Sequence, residues 1–66
     1  MNVNLLKSKM AFYGDNQVKL AEVLNINKNS MCKKLLGKNE LKRSEIEIIA
    51  KRYELTSDEI KEIFFS

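Results

Sequence analysis

Apolar residues in this chain recur at intervals of three and four, the period of a helix buried on one face, and strand-like alternation is nearly absent. No proline interrupts the pattern, and the two glycines, Gly14 and Gly37, fall where apolar runs stop. The spacing predicts an all-α chain of five helices. The first covers residues 4–13, with Leu6, Met10 and Tyr13 on one face. Gly14 closes it, and Asp15-Asn16 supplies a turn and the next N-cap. The second covers residues 17–24 and turns Leu20, Ala21 and Leu24 inward. Asn25-Ile26-Asn27 forms a tight turn, in which Asn25 takes a left-handed conformation that few non-glycine residues tolerate. Asn27 caps a third helix that reaches residue 36, with Met31 and Leu35 inward and Gly37 at its end. A polar, basic loop over residues 38–43 leads to a fourth helix, 43–53, with Ile46, Ile49, Ala50 and Tyr53 inward. Thr56 and Glu59 are spaced as a capping box for a fifth helix over residues 57–64, with Ile60, Ile63 and Phe64 apolar.

Sixty-six residues make one domain, 1–66, and a chain of that size buries only about 60% of its unfolded surface. That leaves little room for both a core and an enzyme pocket. The single cysteine, Cys32, cannot close an intrachain disulfide, and without histidine a Cys/His zinc site is excluded within one chain. A lone thiol also suits a reducing compartment. No apolar run approaches the ~18 residues of a membrane span, and the N-terminus lacks the basic-then-apolar order of a secretory signal. The expectation is a soluble, cytoplasmic protein without cofactor. An enzyme is a poor reading: no nucleophile stands at recognisable spacing from a base, and there is no glycine-rich phosphate loop.

Charge is unevenly distributed. Residues 1–26 hold three basic and two acidic groups, residues 27–43 six basic and one acidic, and residues 44–66 three basic and six acidic. A local excess of this kind is the footprint of a phosphate-binding surface, although lysine is also an ordinary surface residue. The acidic groups of helices 4 and 5 read as a solvated face turned away from such a surface.

The stretch from Gln17 to Gly37 concentrates the argument. Helices 2 and 3 are joined by a turn too tight for antiparallel packing, so they must cross steeply, as in a helix-turn-helix. Ala21 fits where the two approach most closely, and Ile26 plugs the turn. With Met31 and Leu35 inward, Lys28, Asn29, Ser30, Cys32 and Lys33 are left on the outward face of helix 3. In a helix-turn-helix the N-terminal residues of that helix meet base edges in the major groove, where asparagine pairs with adenine and lysine donates to guanine. Asn27 belongs to the same cluster. Gln17, at the start of helix 2, addresses a phosphate together with the helix N-terminus. Lys38, Asn39, Lys42 and Arg43 reach the sugar-phosphate backbone from the following loop. Lys34 lies at the edge of the Met31/Leu35 stripe, so its stem covers the core while its amine reaches solvent or phosphate. Cys32 reads as an inert small residue rather than a redox sensor.

The spacing Gln17, Leu20-Ala21, Leu24, Ile26, Met31, Leu35-x-Gly37 resembles the helix-turn-helix of the phage lambda repressor and Cro superfamily. The segments Ser44-Glu-Ile-Glu, Arg52-Tyr-Glu-Leu-Thr and Glu62-Ile-Phe-Phe65 look like those of short phage and prophage repressors of Gram-positive bacteria. Three positions depart from the superfamily pattern: Asn25 replaces a turn glycine, Lys34 takes an often apolar site, and Leu36 stands where a polar phosphate contact is common. The resemblance implies a compact lambda-repressor-like domain that regulates transcription by binding a palindromic double-stranded operator as a homodimer. Two recognition helices would then lie about 34 Å apart, one turn of DNA. A competing reading keeps the fold as a protein-interaction module, antirepressor or antitoxin-like. The tail Ile63-Phe64-Phe65 is read with one phenylalanine inward and the other outward, either as the end of the core or as a dimer patch.

Overall fold

A computed structural model describes residues 1–65. Among them there are five α-helices and no strand: α1 Val3–Phe12, α2 Gln17–Val23, α3 Lys28–Leu35, α4 Arg43–Arg52 and α5 Ser57–Phe64. Each bound falls within one residue of the expectation, and Asn27 caps α3 as expected. No helix among the described residues is long and apolar enough to cross a membrane.

The helix starts follow from short polar side chains. Asn2, Asn16 and Asn27 each turn Oδ1 onto an amide three residues ahead, at 3.2, 2.8 and 2.7 Å. Thr56 and Glu59 form the expected reciprocal pair at the start of α5, with contacts of 2.9 and 3.2 Å. The ends of α1 to α4 share one device. A residue with positive φ follows the C-cap, and the next two amides fold back onto the last turn. At Gly14 (φ 75°) and Gly37 (φ 80°) this costs no Cβ strain. Asn25 (φ 57°) serves α2 as expected: its N–H donates to the Glu22 carbonyl and that of Ile26 to the Ala21 carbonyl. Glu54 (φ 49°) serves α4, and nothing in its side-chain type favours it there.

The core is built from all five helices: Leu6 and Met10 of α1, Leu20 and Ala21 of α2, Leu24 beyond it, Met31 and Leu35 of α3, Ile49 of α4 with Tyr53, and Ile63 of α5. Leu6, Leu20, Met31, Ile49 and Ile63 have no exposed surface. Ile26, Leu41, Leu55 and Phe64 pack half-buried against it. Ala21, on α2, is 3% exposed. The chain ends are joined where the Asn2 N–H donates to the Ile63 carbonyl at 2.6 Å, and Lys9 of α1 pairs with Glu59 of α5.

Several expectations need correction. Tyr13 is 41% exposed rather than core, because α1 stops at Phe12 and the ring lies across Tyr53, with centroids 5.3 Å apart. Ile46 and Ala50 are half-buried instead of interior. The acidic face of α4 and α5 is not wholly solvated: Glu45 is only 6% exposed, since the first turn of α4 lies against α3 and the carboxylate has partners there. Lys34 does not reach solvent or phosphate. It is 8% exposed, and its Nζ donates to Glu45 Oε1 at 2.9 Å and to the Glu40 carbonyl at 3.2 Å. The tail divides as expected, with Phe64 half-buried and Phe65 68% exposed.

Candidate nucleic-acid interface

The outward face of α3 begins at its cap. Asn27 is exposed, but its Oδ1 is occupied by the Ser30 N–H at 2.7 Å, which leaves the amide NH2 as its outward donor. Lys28 and Asn29 follow, both exposed in the first turn. Ser30 and Cys32 are half-buried, and Lys33 is exposed one turn after Asn29. The inward positions are filled by Met31, Lys34 and Leu35. The side chains singled out on this helix therefore lie on its open side, with Ser30 and Cys32 at its margin. Leu36, just past the helix, is 66% exposed and presents an apolar surface beside them.

Lys38 and Asn39 are exposed in the α3–α4 connection, and Lys42 and Arg43 are exposed where α4 begins. The first half of this loop is tied to α3 by the backbone. Gly37 N–H donates to the Lys34 carbonyl at 3.1 Å and Lys38 N–H to that of Lys33 at 2.9 Å. Gln17 opens α2 half-buried, next to the cap made by Asn16.

The six basic groups of residues 27–43 fall into two classes. Lys34 is neutralised by Glu45, and Arg43 Nε lies 3.3 Å from Glu47 Oε1. Lys28, Lys33, Lys38 and Lys42 have no carboxylate within ion-pair distance among the described residues. Every one of them is exposed. Elsewhere Lys7, Lys51 and Lys61 are likewise exposed and unpaired among the described residues, whereas Arg52 is held internally. Arg52 donates from Nε and Nη2 to the two oxygens of Asp15 at 2.6 and 2.9 Å, and the Tyr53 hydroxyl donates to the same carboxylate at 2.7 Å. The Arg52 hydrogen bonds hold the Asp15 carboxyl at about 2, well below the ordinary carboxylate value. Burial and the adjacent carboxylate push the Tyr53 hydroxyl well up. At Glu45 burial acts upward, but the Lys42 N–H and the Lys34 ammonium outweigh it and hold the carboxyl down.

What this arrangement can do chemically is donate. Amides and ammonium groups face outward from a rigid helix, with further ammonium groups in the loop beyond it. Such a surface suits phosphate oxygens and base-edge acceptors. No group of three or more potential metal ligands occurs among the described residues.

Sequence reasoning missed the Lys34–Glu45 pair, although a signal existed: each stands in register with core residues, Lys34 three after Met31 and Glu45 four before Ile49. The Asp15–Arg52–Tyr53 cluster had no such signal, because its members are 37 and 38 residues apart. Compared with known proteins, the chain matches no family model, no curated protein and no solved structure.

Proposed function

We infer that the chain is a sequence-specific double-stranded DNA-binding regulator of transcription, of phage repressor or Cro type. In this reading α2, the turn over residues 24–27 and α3 are the helix-turn-helix of a lambda-repressor-like domain. Helix α3 enters the major groove, with Lys28 and Asn29 at base edges. Asn27, Ser30, Cys32 and Lys33 line the contact. Gln17, Lys38, Asn39 and Lys42 hold phosphates. The protein acts in the cytoplasm and needs no cofactor.

The observation that carries the reading is the segregation of charge. Four of the seven lysines without an acidic partner among the described residues, Lys28, Lys33, Lys38 and Lys42, lie on α3 and its following loop together with exposed amides, while Lys34 is neutralised internally by Glu45 and Arg43 makes only an exposed pair with Glu47. Such a local cluster of unpaired ammonium groups suits a polyanion partner. Two-fold binding to a palindromic operator fits the second exposed feature. A groove of about 590 Å³ lies between α4 and α5, with Leu41, Ile46 and Ile60 along it and Phe65 at its edge. A patch this small suits a homodimer that assembles on DNA.

The test is selection of bound sequences from randomised duplex DNA at two salt concentrations, with Lys28→Ala and Asn29→Ala in parallel. The expected result is an enriched two-fold-symmetric site with half-sites about ten base pairs apart, and altered base preference in both variants. Weak, steeply salt-dependent binding with no enriched site would sink the reading. The second reading, a protein-interaction module without sequence-specific DNA binding, would then take over; the 83% exposed Phe12 and 68% exposed Phe65 favour it.

A further inference from the structure

The buried Lys34–Glu45 pair does more than fill the junction of α3 and α4. Lys34 Nζ donates to Glu45 Oε1 at 2.9 Å and to the Glu40 carbonyl at 3.2 Å. The same Glu45 oxygen accepts the Lys42 N–H at 2.8 Å. Two charged side chains thus hold two backbone points of the α3–α4 loop, Glu40 and Lys42. The first half of the loop has its own ties, where the amides of Lys38 and Asn39 fold back on the Lys33 carbonyl. The hydrogen bonds that fix residues 40–42 against α3 run through this pair. Leu41, between the two points, packs half-buried against the core.

A pair of this kind is not needed for cohesion. Desolvating two charges offsets most of their attraction, and apolar replacements of similar volume often stabilise as well. What a leucine or methionine in either place cannot do is hold a carbonyl and an amide at fixed positions. The pair is placed between the two parts of the interface: Lys34 projects from the inner side of the helix whose outer side carries Lys28, Asn29 and Lys33, and its contacts end beside Lys42 and close to Lys38 and Asn39.

We propose that Lys34 and Glu45 are positioning residues that fix residues 40–42, and with them Lys42, relative to α3, so that the base contacts of α3 and the phosphate contact of Lys42 occur in one register. The proposal rests on the DNA-binding reading and adds to it a division of labour: the lysines of one segment serve different ends, Lys34 buried to hold the loop and the exposed ones to use it. The exposed lysines keep their charge whatever the loop does, so loosening the loop removes their placement and not their number.

The experiment compares the wild-type chain with two variants of unchanged net charge, Lys34→Met/Glu45→Met and Glu45→Asp. The first replaces the pair by apolar groups. The second keeps the carboxylate at the start of α4 but is one methylene too short to satisfy both Lys34 and the Lys42 N–H, and it serves if the first does not fold. Folding is checked by helical circular dichroism and melting. Binding is measured against duplex DNA of randomised sequence and against the site selected from it, over a series of salt concentrations. Hydrogen exchange is followed at the Lys42 amide. The expected result is a folded variant whose salt slope is shallower by about 1, the loss of the Lys42 phosphate contact at ~0.9. Its ranking of base sequences is unchanged, and exchange at Lys42 is faster. A folded variant with the wild-type slope and affinity overturns the proposal and leaves the DNA reading intact. A wild-type chain that binds no duplex overturns both.

Discussion

Replacing Asp15 by asparagine tests how the turn before α2 is held to the end of α4. Asp15 receives two hydrogen bonds from Arg52 and one from Tyr53. Its folded pKa is lowered from 3.8 to about 2, first by the Arg52 hydrogen bonds. At ~1.4 kcal/mol per unit, that shift sets a ceiling of about 2.5 kcal/mol on the ionised carboxylate. The Asp15 side chain is 4% exposed but Arg52 is 32% exposed, so solvent screening on the cation side lowers the figure to about 1–2 kcal/mol. A folded pKa below the unfolded one means that this contribution is present above about pH 4 and lost as the pH falls toward about 2. Asp15→Asn keeps one oxygen acceptor but puts an NH2 donor in the other's place, so it removes the charge and at least one of the three hydrogen bonds. The variant should therefore melt lower near neutral pH by about 5–15 °C, using ~4–8 °C per kcal/mol for a domain of this size. The gap between the two proteins should close at about pH 2. The assay is thermal melting by circular dichroism across that pH range. Equal melting temperatures near neutrality, or a gap that persists unchanged into acid, would refute the reasoning, since other carboxylates titrate equally in both chains.

Leu35→Ala leaves a cavity beneath α3 and should cost about 2–5 kcal/mol, a large part of the stability of a 66-residue domain; native melting behaviour would show that Leu35 carries no core packing. Glu54→Asn relieves a left-handed backbone at φ 49° and should raise stability by about 1 kcal/mol in urea denaturation, whereas a loss would show that the 3.4 Å Tyr13–Glu54 contact matters more. Lys38→Ala should weaken binding to all DNA sequences alike and make the salt slope shallower by about 0.9; equal slopes for variant and parent would remove Lys38 from the phosphate contacts.

The helices were legible because their punctuation is local. Asn16, Asn27 and Thr56 cap within three residues, and Gly14, Asn25 and Gly37 stop the chain by backbone conformation alone. Period and caps thus reveal where helices lie and which face of each is apolar. They do not reveal how helix faces meet. Tyr13 shares the α1 face with Leu6 and Met10, yet it is the C-cap just past the helix and covers Tyr53 instead of the interior. Ile46 and Ile60 are apolar in the right register, but the groove beside them stays open. Asp15 was readable as a turn residue and not as the anion of a cluster, because its partners come from the far end of the sequence. Glu54 was not readable as a helix stop at all: its left-handed backbone is imposed by the packing of Tyr53 and Leu55 on either side, against the preference of its own side chain.

The candidate interface shows the same division with a functional consequence. Composition counts six basic residues between 27 and 43, and a surface built from all of them would be read as uniformly phosphate-binding. The helical register sorts them. Lys33 and Lys34 are neighbours in sequence and about 100° apart around α3, so one is exposed and the other sits 2.9 Å from a buried carboxylate. Arg43 differs from Lys42 in the same way: it stands one turn before Glu47 on α4 and is paired there. Four lysines of the segment then remain unpaired, all on α3 or in the loop that follows it. The sorting follows from which carboxylates the fold brings near, and charge arithmetic along the chain has no access to that. It also means that the loop's geometry and its charge come from different residues, so that variants at Lys34 and Glu45 separate placement from electrostatics where a variant at an exposed lysine changes both.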